Sequence, residues 1–406
     1  MAGESEAPPR MAEVNTDKTK ADNRRFQTTS GDGPEYRTWY RGEHMNRRPP
    51  LRRLQKPDDA VRAVLHGWAP EAPQITPETQ ITAFGSCFAE NISNWLAARN
   101  FRVLNREPDN EKAYVVSMGE GMVNSFVIRQ QFEWAWENKV FEQPLWHGYK
   151  AEDFGYDEEV RLETKRIFDE TDVFILTFGL SEVWYDEPTG NVFWRTIPKD
   201  VHDPERHKFR VSTVEENRAN MRAIYDLIRK YRPDAKMIFT LSPIPLLSTF
   251  RDVSCLTANS TSKAVLRVAL DELMRETEGE GHLFYWPSYE IIMDIFRQPF
   301  KADNRHPAKA CLSYIMTLFE HVWCIGDVSD KPPLIEAWVS ACAAAGHLPA
   351  KLEGIVGHRK IGPLERMIER ATLDPDPAVD KAKRRLLEEL RDFWLELGLR
   401  PRAAAD

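Results

Sequence analysis

Four short apolar runs, each closed by turn residues and separated by helical patterns, constrain this chain more than any other feature of its sequence. Ile81-Thr82-Ala83-Phe84 runs into Gly85, and Asp172 to Phe178 is almost continuously apolar before Gly179. Lys236 to Leu241 stops at Ser242-Pro243, and His282 to Trp286 is the fourth run. Short runs without polar alternation read as strands buried on both faces. Between them the periodicity predicts helices over about 88–99, 214–231 and 260–277. Phe88, Ile92, Trp95 and Leu96 share one face of the first, and the second has two possible capping boxes, Ser212-x-x-Glu215 and Thr213-x-x-Glu216. Strands alternating with helices predict an α/β fold, a parallel sheet covered on both faces. Ligands of such sheets bind beyond the carboxyl ends of the strands. The loops after 84, 178, 241 and 286 are therefore where chemistry is expected.

Other stretches break the rhythm. Residues 1–60 are poor in aliphatics, and positions 1–56 hold twelve basic and eight acidic residues, a surplus of four in a chain whose net charge is -8. This reads as a disordered or loosely docked basic arm, its last part packing through Tyr36, Trp39 and Tyr40. The domain proper is expected over 61–330. Thr189-Gly190-Asn191, between Trp184-Tyr185 and Val192-Phe193-Trp194, reads as a hairpin insertion. Residues 331–406 read as a helical C-terminal extension, with Val379, Ala382, Leu386, Leu390, Phe393 and Leu397 on the packing face of its last helix. The acidic balance, with pI near 5.8, argues against nucleic acid as a partner. No apolar run is long enough for a membrane span. The polar N-terminus lacks the core of a secretory signal, and five cysteines without close pairs do not make a disulfide framework. A cytoplasmic location is the expectation.

Two motifs fall at expected strand ends. In Phe84-Gly85-Ser86-Cys87-Phe88-Ala89 a glycine permits a tight strand-to-helix turn. The helix that follows offers unpaired N–H groups beside a hydroxyl and a thiol. In Asp303-Asn304-Arg305-His306-Pro307, Pro307 opens a helix and sets His306 near its N-cap, and an Asp three residues earlier is placed to orient the imidazole. Each alone reads first as structure, a tight turn with a buried cysteine and a surface capping motif. Together they supply a nucleophile, a base and an orienter. His202 and His207 have no common zinc spacing and read as a polar loop, so no metal and no cofactor is expected. Phe132 to Trp136 reads as a helix burying two indoles, and Cys255, Cys311, Cys324 and Cys342 as buried thiols.

The run Gly85-Ser86-Cys87-Phe88-Ala89 with the later Asp303-x-x-His306 resembles the GSCFA domain family, over roughly residues 78–325. That family is similar to the SGNH (GDSL-like) hydrolases. The resemblance implies a three-layer, flavodoxin-like α/β/α domain with an early nucleophile and a late Asp-x-x-His, acting on esters of sugars or lipids. The register of the Gly-Asp-Ser motif lays Cys87 on the nucleophile; matching serine to serine would choose Ser86 and needs a one-residue slip. The superfamily's Gly-x-Asn-Asp block is here Gly179-Leu180-Ser181-Glu182, so Ser181 replaces the Asn. Gly85, Gly119, Gly121, Asn124, Gly179 and Ser181 are the candidates for oxyanion and substrate binding. The expected activity is ester cleavage through a covalent acyl-enzyme, on a small-molecule or glycan ester. An O-acyltransferase and a noncatalytic carbohydrate-binding or scaffold protein are the alternatives.

Overall fold

The computed structural model describes residues 26–30, 33–37, 44–50, 53, 54, 56–118 and 121–400. Trp39, Tyr40 and Gly119 lie outside them, as does the side chain of Tyr36. Two compact units divide the chain, Met1–Pro49 and Pro50–Asp406. The first contains an antiparallel hairpin of β1 (Phe26–Ser30) and β2 (Gly33–Arg37).

The second unit begins with α1 (Pro57–Leu65), β3 (Ile81–Phe84) and α2 (Cys87–Ala98), then α3 (Tyr114–Ser117), α4 (Ser125–Glu137) and α5 (Glu158–Glu170). It continues through β4 (Val173–Phe178), the ribbon β5 (Glu182–Asp186) and β6 (His207–Val211), α6 (Val214–Tyr231) and β7 (Lys236–Leu241). After α7 (Cys255–Glu276), β8 (Leu283–Tyr285) and α8 (Ser288–Glu290) come α9 (Lys309–Trp323), α10 (Leu334–Ala344), α11 (Lys351–Gly357), α12 (Ile361–Arg370) and α13 (Pro377–Glu396).

Strands β3, β4, β7 and β8 form one parallel sheet in that order. A parallel bridge from Ile81 to Val103 adds a rudimentary fifth position outside β3. Counting it, the order is the flavodoxin-like 2-1-3-4-5, whose switch point lies between β3 and β4. Side chains alternate across the sheet because strand periodicity is two. Ile81, Ala83, Val173, Ile175 and Ile238 enter one apolar cluster with α2, α9 and the C-terminal helices. Phe84, Phe174, Leu176, Phe178, Met237, Phe239 and Leu241 enter a second with α4 to α7. The result is three-layered α/β/α, as expected from the strand pattern. Among the described residues no helix is long and apolar enough to cross a membrane.

Three local expectations change. Of the two capping boxes, Thr213 with Glu216 forms, while the Ser212 hydroxyl donates to the carbonyl of Ser181 at 2.8 Å. The predicted 184–194 hairpin does turn at Gly190, whose N–H donates to the Asp186 carbonyl. Its return arm makes only the Tyr185–Val192 bridge, and β5 pairs along its length with β6 instead. The Trp194 N–H has gone to the Leu145 carbonyl, which diverts the chain from the ladder. In α13 the buried face is Leu386, Leu387, Leu390 and Trp394, and Leu397 is 51% exposed beyond the helix end. The face has rotated because it seats Trp394, whose indole N–H donates to Glu336 at 2.6 Å. The helices after residue 330 share the cluster of α2 and α9. Trp394→Ala therefore removes a fully buried ring and one of the donors to Glu336, which keeps its pair with Arg359. It should cost about 3–5 kcal/mol of unfolding free energy in urea melts, whereas a purely peripheral helix would show less than about 1 kcal/mol.

Candidate active site

The turn from β3 into α2 exists because Gly85 has φ +130°, and a Cβ there would fall 2.2 Å from the carbonyl oxygen of Thr177 on β4. Only glycine allows both the backbone conformation and the close approach. Ser86 follows as the N-cap of α2, and its Oγ accepts the N–H of Phe88 at 3.2 Å. The Ser86 N–H and hydroxyl both donate to Thr177 Oγ1, at 2.8 and 3.2 Å. Ser86 is thus buried and committed to the turn. Cys87 is the first residue of α2 and is half-buried. Of the two side chains, Cys87 is the more accessible.

The second motif is a tight turn. Asp303 Oδ1 accepts the N–H groups of Arg305 and His306, at 3.0 and 3.1 Å, while Oδ2 lies 2.6 Å from His306 Nδ1. The ring bond first, then the two backbone donors, hold the Asp303 carboxyl well below the usual carboxylate range. Both side chains are near half-exposed. The helix opens later than Pro307 predicts: Pro307 bridges to Phe300, Ala308 is the N-cap, and α9 begins at Lys309. His306 therefore stands in a loop ahead of the helix.

What brings the motifs to one edge is the pairing of α2 with α9. Glu320, late in α9, accepts from the Trp95 indole at 3.0 Å and from Arg99 at 3.1 Å, both late in α2. With their last turns locked side by side, the two helices run the same way. Their first turns, carrying Cys87 and following His306, then open at the carboxyl edge of the sheet.

Between them lies a residue that the sequence did not single out. Lys263 in α7 is buried, and its ammonium donates to the carbonyls of Gly179, Ser242 and Ile244 at 2.6, 2.8 and 2.7 Å. It joins the loops that follow β4 and β7. Burial pushes Lys263 down to about 7, with the neighbouring Cys87 raising it and Arg305 lowering it. Arg305 in turn reaches the Pro245 carbonyl at 3.4 Å. One buried cation thus sits within electrostatic reach of both motifs. Its three bonds to carbonyls are those of the protonated amine, so hydrogen bonding favours the charge that burial opposes.

The oxyanion candidates divide sharply. Gly179 donates its N–H to the Val123 carbonyl at 2.7 Å and gives its own carbonyl to Lys263. Gly121 donates to the Met118 carbonyl at 2.8 Å. Asn124 is the N-cap of α4, its Oδ1 accepting the Val127 N–H at 3.0 Å. The two glycine N–H groups are thus engaged in the fold rather than pre-aimed at an oxyanion, while the Asn124 bond takes only its amide oxygen. Ser181, fully buried, keeps a hydroxyl without a hydrogen-bond partner among the described residues. Elsewhere, Trp194 is core, stacked on Trp146 at 5.1 Å, and Trp134 and Trp136 are buried in α4. Cys311, Cys324 and Cys342 are buried, and Cys255 is half-buried. His207 Nδ1 accepts the Asp203 N–H at 3.0 Å, and the described residues contain no cluster of three or more His, Cys, Asp or Glu fit to hold a metal.

Residues 80–319, more than half of the chain, match a model of the GSCFA family. No curated protein matches the sequence.

Replacing Lys263 by Met tests the tie between strand ends. With burial pushing Lys263 down to about 7 from the ordinary 10.5, the unfolded state binds more protons across that window. Unfolding free energy should then climb with pH between those values through this group. The variant should lose that part of the slope in denaturant titrations run from pH 7 to 9, and an unchanged slope would contradict the assignment.

Proposed function

From a chain that belongs to the GSCFA family, we propose an acyl-transfer enzyme in which Cys87 is the nucleophile, His306 the general base and Asp303 its orienter. The observation that carries the proposal is the convergence of both motifs on Lys263, with the imidazole already held by a carboxylate at 2.6 Å. Cys87 is favoured over Ser86 because the serine is spent on capping α2 and on Thr177.

His306 takes the proton from the Cys87 thiol, and the thiolate attacks the carbonyl carbon of an O-acyl ester. Negative charge moves to the carbonyl oxygen. The positive end of α2 and the unpaired Ser181 hydroxyl are the groups that support the charge there. The tetrahedral species collapses as His306 returns the proton to the leaving alcohol, leaving a thioester on Cys87. His306 then deprotonates water, or a hydroxyl of a sugar or lipid, and this second nucleophile cleaves the thioester. Asp303 stays ionised throughout and stabilises the imidazolium that forms in each half. With the Gly121 and Gly179 amides occupied, the charge is met by few donors. Since one missing oxyanion donor typically costs about 10²–10³ in rate, turnover should be modest.

Incubation with a short-chain activated ester, followed by mass spectrometry of the intact protein and its peptides, should find the acyl group on Cys87. Cys87→Ala should abolish the adduct. Ser86→Ala should keep it while losing about 1 kcal/mol of stability as the cap is removed. An adduct on Ser86, or none on either residue, would reject the nucleophile assignment and, in the second case, favour a binding protein. His306→Ala should lower kcat/KM at least about 10²-fold, the range for a positioned general base. Undiminished turnover would remove His306 from the mechanism.

A further inference from the structure

Arg195 is used by nothing in the proposed chemistry, yet its surroundings are built. Its guanidinium carbon lies 3.9 Å from the ring centroid of Tyr149. It also presses against Gly121, where a Cβ would fall 2.2 Å from Nη2, so the glycine makes room for the arginine. The Nε donor is buried with no acceptor among the described residues. Among the described residues Arg195 forms no ion pair, whereas two other arginines of the same insertion do: Arg206 pairs with Asp186, and Arg210 with Glu216 at 2.6 Å. A cation held by an aromatic face and a glycine, with a buried donor left over, lacks the anion that would complete it.

Its location says which ligand is meant. Gly121 is two residues from Val123, a step of at most about 7 Å. The Val123 carbonyl accepts the N–H groups of Gly179 and Leu180, at 2.7 and 3.3 Å. Arg195 therefore stands near the loop that follows β4, the loop whose Gly179 carbonyl Lys263 holds.

We propose that Arg195 binds an anionic group of the substrate, a carboxylate or a phosphate, in the planar fork of its guanidinium. This makes the substrate an ester that also bears a negative charge. Naming the anion a substrate group rests on the acyl-transfer reading; the anion site itself does not. The fork matches two oxygens of either group, and the Tyr149 face keeps the guanidinium flat while its edge donates.

The intact protein, labelled with ¹⁵N-arginine, is titrated separately with inorganic phosphate and with acetate, against chloride at matched ionic strength. The Nε–H signal of Arg195, identified by its loss in Arg195→Lys, should shift saturably with one anion, and the unfolding temperature should rise in parallel. Tighter binding of phosphate or of acetate distinguishes a phosphorylated from a carboxylated substrate. Arg195→Gln, and Gly121→Ala by displacing the guanidinium, should weaken the thermal effect at least about tenfold in apparent affinity. Equal stabilisation of wild type and Arg195→Gln, or a shift linear in anion concentration, would overturn the site. Should Arg195→Gln fail to fold, the wild-type Nε–H titration decides alone. A saturable anion site in a protein that no ester acylates would retire the acyl-transfer reading and leave the anion site standing.

Discussion

The crevice depends on one buried ammonium. Lys263 reaches from α7 to three backbone carbonyls, at Gly179, Ser242 and Ile244. Those carbonyls belong to loops leaving adjacent parallel strands, where no ladder partner remains to take them. Removing the ammonium would leave three acceptors buried together, each an unpaired group that costs free energy. The tie also fixes which way the loop after β4 faces. With its carbonyl on Lys263, Gly179 turns its N–H to Val123, and the segment leading into α4 is drawn over the strand end.

Around that point the two residues of the Ser86-Cys87 pair divide the work. Serine is good at ending a strand and starting a helix, because its hydroxyl both accepts the Phe88 N–H and donates to Thr177. Cysteine is poor at capping, and Cys87 takes the next position, the first residue of α2. The parallel setting of α2 and α9, locked by Glu320 on Trp95 and Arg99, brings the Asp303–His306 turn to the same edge. Two segments far apart in sequence thus meet through helix packing rather than through direct pairing of the motifs.

The elements themselves were readable because their physics is local. Unbroken apolar runs became β3, β4, β7 and β8 within a residue or two of their expected ends, and the helix over 214–231 matched throughout. The glycine before Ser86 was readable for the same reason: a strand running into a helix requires a sharp turn. Lys263 was not readable, since a lysine within a helical pattern looks solvated, and only the tertiary fold shows three carbonyls around it. That two of the oxyanion candidates are already engaged was hidden for a related cause. Gly121 and Gly179 carry the right groups, but whether an N–H is available depends on Met118 and Val123, partners that motif spacing does not report. The rotated face of α13 and the truncated arm of the β5 insertion have the same origin, a tertiary hydrogen bond overriding a local pattern.

The central claim is that the Cys87 thiol and the His306 ring serve one reaction centre. Alkylation of Cys87 by iodoacetamide, followed peptide by peptide across pH 5 to 9 (a range spanning the ordinary imidazole and thiol values), addresses it without needing the natural substrate. The account predicts that the rate profile of the native protein carries an inflection from the imidazole and that His306→Ala loses this inflection. Superimposable profiles for the two proteins would contradict it.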